Sequence, residues 1–309
     1  MAILKWLESI RTPWMDQVMS ILTEMGDETV FMVLGMVVLW CVHKTWGFRF
    51  MLLGLFGTAV NQLLKAIFLV PRPWVLDPEF TIVESAREGA SGYSFPSGHT
   101  QSAATCFGTL AAWLKKKWVT ALCVAAILIV AFSRMYLGVH TPADVGVSLV
   151  TGALTVIGGC WLLQKDSRKT QLWVRFAAMA MALVLLGYVL LMPARPANVA
   201  EFDAHGVKAA WQLVGAMAGM LLAWWMDEKH LHFETKAIWW AQICKVAIGL
   251  ALVVAVRSGM KPVLTAIFGE AMFAHGIRYF LMTVVGGILW PMTFRFWSRL
   301  GSKTTEVNA

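Results

Sequence analysis

Apolar residues run along this chain in stretches of about twenty, and the polar and charged positions crowd into the connections between them. About 30 Å of hydrocarbon needs roughly that many residues at helical rise, so each stretch reads as a membrane-crossing helix. The pattern predicts spans near 29–43, 49–70, 98–114, 118–135, 142–163, 172–192, 207–226, 237–256 and 279–297. The first of these is short, so the count is about eight or nine. The fold class is therefore an all-α polytopic membrane protein. Residues 1–24 differ from the rest. There Lys5, Glu8, Arg11, Asp16 and Glu24 are interleaved with Trp6, Trp14 and aliphatic residues, which predicts an amphipathic helix lying in the interface. That segment has neither the clean apolar core nor the small-residue cleavage site of a secretory signal.

Composition narrows the class. The chain is 58% hydrophobic and 14% charged, with a mean hydropathy of +0.65, too apolar for a soluble globular domain. Trp74, Trp113, Trp118, Trp161, Trp173 and Trp290 stand at predicted span ends, as an interfacial aromatic belt requires. The net charge of +8 is a matter of topology. Lys44, Arg49, Lys115, Lys116, Lys117, Lys165, Arg168, Lys169, Lys229, Lys236, Arg299 and Lys303 all fall in one set of connections. The positive-inside rule assigns that set to the cytoplasm. Connections 71–97, 136–141, 193–206 and 257–278 then lie on the extracytoplasmic side, and no nucleic-acid partner is expected. Cys41, Cys106, Cys123, Cys160 and Cys244 are scattered singly, without metal-ligand or redox spacing.

Chemistry concentrates in three runs: KAIFLVPRP at 65–73, FPSGHT at 95–100 and SRMYLGVHTPAD at 133–144. In the last, Thr141, Pro142 and Asp144 have the order of a helix start, with an N-cap, a first-turn proline and an acidic third position. Asp144 also lies four residues beyond His140, where its carboxylate can accept one imidazole N–H. That contact fixes the tautomer and leaves the other ring nitrogen as a nucleophile. Ser97 suits the N-cap of the next apolar helix, Gly98 allows close approach of an anion to the backbone, and His99 suits a general acid. Lys65, Arg72 and Arg134 supply positive charge in apolar surroundings, and a phosphate satisfies all three. Such a set needs neither a metal ion nor a cofactor.

Together the runs fill every position of a K-x6-RP, PSGH and SR-x5-H-x3-D pattern, which resembles the signature of the type 2 phosphatidic acid phosphatase superfamily. The resemblance covers roughly residues 48–163. It implies that Lys65, Arg72, Ser97, Gly98 and Arg134 bind phosphate, that His140 forms a phosphohistidine, that Asp144 orients it, and that His99 protonates the leaving group. It also implies a six-span core. The chain then divides into an interfacial helix at 1–28, a phosphatase-like core at 29–192 and a C-terminal transmembrane extension at 193–309.

The expected activity is hydrolysis of a lipid phosphate or diphosphate at the extracytoplasmic face of a bacterial inner membrane. Undecaprenyl diphosphate, phosphatidic acid and phosphatidylglycerol phosphate are the candidate substrates. A lipid phosphotransferase and a non-hydrolytic lipid-phosphate transporter are the alternatives. In the C-terminal third, Arg257, Lys261 and Arg278 are candidates for recognising an anionic headgroup or a second phosphate. The crowded Glu201–Phe202–Asp203–Ala204–His205 run reads as a solvated loop rather than a metal set, and His230 and His232 receive no role.

Overall fold

The computed structural model describes residues 1–165, 167–193 and 200–300. Lys303, the stretch 194–199 of one connection expected on the outer side and the Glu201 side chain lie outside the described residues. Among the described residues every regular element is helical. Among these residues seven helices are long and apolar enough to cross a membrane, and an eighth span arises if the bent pair Pro13–Gly26 and Glu28–Val42, broken by 49°, counts as one. Two expected spans fall outside these seven: 29–43, which enters only as half of that bent pair, and 98–114. The helix over 98–114 has 17 residues and carries His99, Gln101, Thr100, Thr105 and Thr109. The chain is thus a polytopic helical membrane protein, and it separates into two compact units.

The first unit comprises Met1–Phe31 and Phe56–Ala210. The amphipathic segment forms two helices, α1 (Ala2–Ser9) and α2 (Pro13–Thr23), because Thr12 caps the second and Pro13 opens it. Leu4 and Leu7 are buried against Phe80, Tyr136, Leu137 and Val139, while Trp6 and Trp14 point outward. Arg11 fastens this packing through Nε to the Tyr136 carbonyl at 2.9 Å and Nη1 to the Thr81 carbonyl at 2.7 Å. After α3 (Glu28–Val37), α4 (Lys44–Phe68) ends in this unit, and a one-turn helix, α5 (Pro73–Leu76), follows.

Next come α6 (Gly98–Leu114), α7 (Lys117–Tyr136), α8 (Pro142–Gln164) and α9 (Arg168–Leu191). Helix α6 packs on both α7 and α8. Small residues set the α6–α8 approach: a Cβ on Gly152 would stand 2.5 Å from that of Ala104. Between α7 and α8, Gly138 adopts φ +81°, and a Cβ there would meet Arg11 Nη2 at 2.6 Å. The tight turn that delivers His140 therefore requires glycine.

The second unit comprises Met32–Leu55 and Trp211–Ala309. It holds most of α10 (Ala200–Met226), then α11 (Trp239–Phe268), α12 (Phe273–Val284) and the short α13 (Phe294–Arg299). A buried lysine organises its middle. Lys245 Nζ donates to the carbonyls of Trp40 at 2.7 Å and Thr235 at 3.0 Å and stands 4.1 Å from the Phe294 ring centroid. Trp40 and Trp290 complete the arrangement by donating their indole N–H groups to the carbonyls of Gly286 and Lys245. An apolar helix tolerates this cation because carbonyl oxygens and a ring face receive its charge.

Candidate active site

The three motifs reach one place because four helix ends converge there: the C-terminal ends of α4 and α7 and the N-terminal ends of α6 and α8. Local chemistry builds each end. Ser97 caps α6 by accepting from the Thr100 N–H. Thr141 caps α8 in a reciprocal box, its hydroxyl accepting from Asp144 N while the Asp144 carboxylate accepts from Thr141 N. The two caps are joined by Ser97 N–H donating to the Asp144 carbonyl at 3.2 Å. The Arg134 carbonyl accepts from both Val139 N and His140 N, folding the end of α7 beneath the histidine.

Asp144 is the hub. Its Oδ2 accepts from the Ser94 hydroxyl at 2.6 Å and from Thr141 N at 2.8 Å, and lies 3.3 Å from His140 Nδ1. On the other side of the ring, Arg72 Nη1 stands 2.9 Å from His140 Nε2. A guanidinium can only donate, so Nε2 accepts, and the ring proton sits on Nδ1 facing Asp144. This is the tautomer a nitrogen nucleophile needs. Arg72 is held in place by the carbonyls of Gly92, Val139 and Ser91. Lys65 Nζ donates to the carbonyls of Tyr93 at 2.6 Å and Ser94 at 3.3 Å.

Lys65, Arg72, Ser97, Arg134, His140 and Asp144 are all buried. Arg134 is the least satisfied of them. Its Nη1 donates to the Thr23 hydroxyl at 3.0 Å, while Nε and Nη2 are buried without a hydrogen-bond partner. A Cβ built on Gly98 would meet only Asn61 Oδ1, at 4.0 Å, so the backbone there is open to a ligand. His99 turns its ring toward Gly89, whose Cβ would lie 3.7 Å from Cε1 and 3.9 Å from Nε2. Two unpartnered nitrogens on the Arg134 guanidinium, an open glycine and an oriented imidazole are complementary to one phosphate.

Burial, and next the Arg72 guanidinium, hold the His140 imidazole well below its usual range. The ring stays neutral, and Nε2 keeps its lone pair, at any pH above that lowered value. The acid limb of kcat/KM, which reports the free enzyme, should therefore fall below the ordinary histidine value of about 6.5. Arg72→Gln removes one neighbouring positive charge, which raises the His140 pKa and moves the limb to higher pH. Identical acid limbs in the two proteins would contradict the pairing.

Sequence reasoning did not identify Ser94, Asn61, Ser148 or Thr23 as parts of this site. Ser94 supports Asp144, Asn61 and Ser148 donate to the Ser97 carbonyl, and Thr23 holds Arg134. Only Ser94 carried a signal, as a polar position three residues before Ser97. The 201–205 run, expected as a solvated loop, instead lies within the first turns of α10. Phe202, Asp203 and His205 border a cavity of about 170 Å³ with Lys65 and Tyr93, and the Tyr93 hydroxyl donates to Asp203 at 3.2 Å. Of the three C-terminal cations, Lys261 and Arg278 border one cavity, whereas Arg257 is exposed on α11.

Residues 46–169 match the family model described as PAP2 superfamily. Over 158 residues the chain is 32% identical to phosphatidylglycerophosphatase B of Bacillus subtilis (strain 168), covering 47% of this chain and 73% of that protein. The chain belongs to the PAP2 superfamily. All three PAP2 motifs lie within the matched residues. A second PAP2 model, described as PAP2 superfamily phosphatase, transmembrane extension, matches residues 211–303. Undecaprenyl-diphosphatase BcrC of Bacillus subtilis (strain 168) is 28% identical over 144 residues, which is 45% of this chain and 70% of that protein. A probable sphingosine-1-phosphate phosphatase of Dictyostelium discoideum is 23% identical over 240 residues, 72% of this chain and 57% of that protein. No solved structure matches. This PAP2 chain is an enzyme of the lipid-phosphate phosphatase class.

Proposed function

We propose that this protein removes phosphate from a membrane lipid monophosphate or diphosphate at the extracytoplasmic face of a bacterial cytoplasmic membrane, by way of a phosphohistidine on His140. The observation that carries the reading is the buried line from Arg72 through the His140 ring to Asp144, with Nε2 as the acceptor end. In the first step Arg72 Nη1 shifts from Nε2 to a phosphate oxygen, and the freed Nε2 lone pair attacks phosphorus as the bond from phosphorus to the lipid oxygen breaks. His99 gives its proton to that departing oxygen. Water, losing a proton to the now neutral His99, then breaks the P–N bond and frees inorganic phosphate. Arg72, Arg134 and Lys65 stabilise the equatorial oxygens throughout, work that charge and positioning accomplish in phosphoryl transfer.

Sidedness rests on charge. The site lies where α6 and α8 begin and α7 ends, while Lys115, Lys116, Lys117, Lys165, Arg168 and Lys169 follow the opposite ends of α6 and α8 or begin α7 and α9. The positive-inside rule gives those cations to the cytoplasm and the site to the other face. Phosphatidylglycerol phosphate and undecaprenyl diphosphate are the substrates that the relatives' names suggest, and phosphatidic acid shares their headgroup chemistry.

The test is phosphate release by the detergent-purified full chain, with a chelator present, from this lipid panel beside a His140→Ala control. Chelator-resistant release that the variant lacks supports the reading and ranks the lipids. Phosphate that appears only on a second acceptor marks a phosphotransferase, and binding without turnover of any lipid overturns the reading.

A further inference from the structure

Beyond the catalytic centre, the second unit contains a cavity of about 580 Å³ where α11 turns into α12. Lys261 and Thr265 come to it from α11, Glu270 from the turn, and His275 and Arg278 from α12. Arg278 is 91% buried, at 9% relative exposure, yet its Nε has no hydrogen-bond partner. Its Nη2 is steadied 3.2 Å from His275 Nδ1, and the guanidinium carbon stands 5.8 Å from the Tyr279 ring centroid. No ion pair joins Glu270 to Arg278 or Lys261 among the described residues, and two basic side chains share the cavity with one acidic one. Burying a guanidinium N–H without a partner costs free energy that an anion in the cavity would recover.

We propose that this cavity is a second anion site, which takes the phosphate monoester group of a ligand on Arg278, with Lys261 as the point charge at its mouth. A guanidinium offers a phosphate two parallel N–H donors, and His275 keeps that fork turned into the cavity. The ligand is either free phosphate or a lipid that carries the same group. Val263, Ile267, Phe268 and Phe273 stand exposed on the flanking helices, where acyl chains would run.

The experiment uses the full chain in detergent with two probes: inorganic phosphate, and a phosphonate analogue of phosphatidic acid whose P–C bond the catalytic centre cannot cleave. Calorimetric titration should resolve two binding events for at least one probe. Arg278→Gln should abolish one event or weaken it about tenfold and spare the other. Lys261→Gln, a change at an exposed position, should weaken the same event and serves if the buried substitution fails to fold. Loss with inorganic phosphate alone makes the ligand soluble phosphate, and loss with the phosphonate lipid makes it lipid-borne. One event in the unmodified chain for both probes, or two events that survive both substitutions, overturns the proposal.

Discussion

His140→Ala should lower phosphate release from the best lipid substrate by about 10⁵-fold, which is about 7 kcal/mol of transition-state stabilisation. The loss is this large because no neighbour can take the nucleophile's place. Arg72 has no lone pair to offer, Asp144 is occupied by Ser94, Thr141 and His140 itself, and His99 faces Gly89. Two controls separate chemistry from folding. Asp144→Asn keeps the α8 cap nearly intact but presents an amide that no longer stabilises an imidazolium, and should cost about 10²- to 10⁴-fold. Rapid acid-free quenching of the unmodified enzyme with labelled substrate should trap phosphate on His140 Nε2, and the alanine variant should trap none. Residual release within tenfold of the unmodified chain, or label on another residue, would remove His140 as the nucleophile.

The candidate site was legible because each member belongs to a short run whose local geometry is self-contained. Thr141, Pro142 and Asp144 make a helix cap wherever they occur, and the same cap places Asp144 beside His140. The transmembrane character was legible for the same reason, since hydrocarbon length imposes itself on each span separately. What the chain concealed is tertiary. Residues 1–24 read as one interfacial helix, yet only the packed structure shows that α1 buries Leu4 and Leu7 against Phe80, Tyr136, Leu137 and Val139. Thr23 lies 111 residues from Arg134, in a segment whose pattern spoke only of an interface. The helix 98–114 was read as an ordinary span because its apolar residues dominate. Its polar members turn inward instead, where the Gln101 side-chain oxygen accepts from Thr151 at 2.5 Å. Likewise α10 starts before its apolar pattern does, so Asp203 and His205 line a cavity instead of a loop.

Arg134→Gln should reduce kcat/KM by about 10²- to 10³-fold, the usual consequence of removing one fixed donor from a developing phosphoryl charge. The same change should raise the melting temperature of the ligand-free protein, because glutamine removes a buried charge whose Nε and Nη2 have no partners. Opposite movement of activity and stability distinguishes a functional cation from a structural one, which would lose both together. Inorganic phosphate should stabilise the unmodified chain and stabilise the variant less, since it binds the folded state through the group that has been removed. Thr23→Val provides the coupling test. It strips Nη1 of its acceptor at 3.0 Å and frees the guanidinium to swing, so it should cost about tenfold alone and nothing further in the Arg134→Gln background. Additive losses would mean that Thr23 acts through the fold of α2 rather than through Arg134. A variant that keeps full activity would show that the phosphate is held by Arg72 and Lys65 alone.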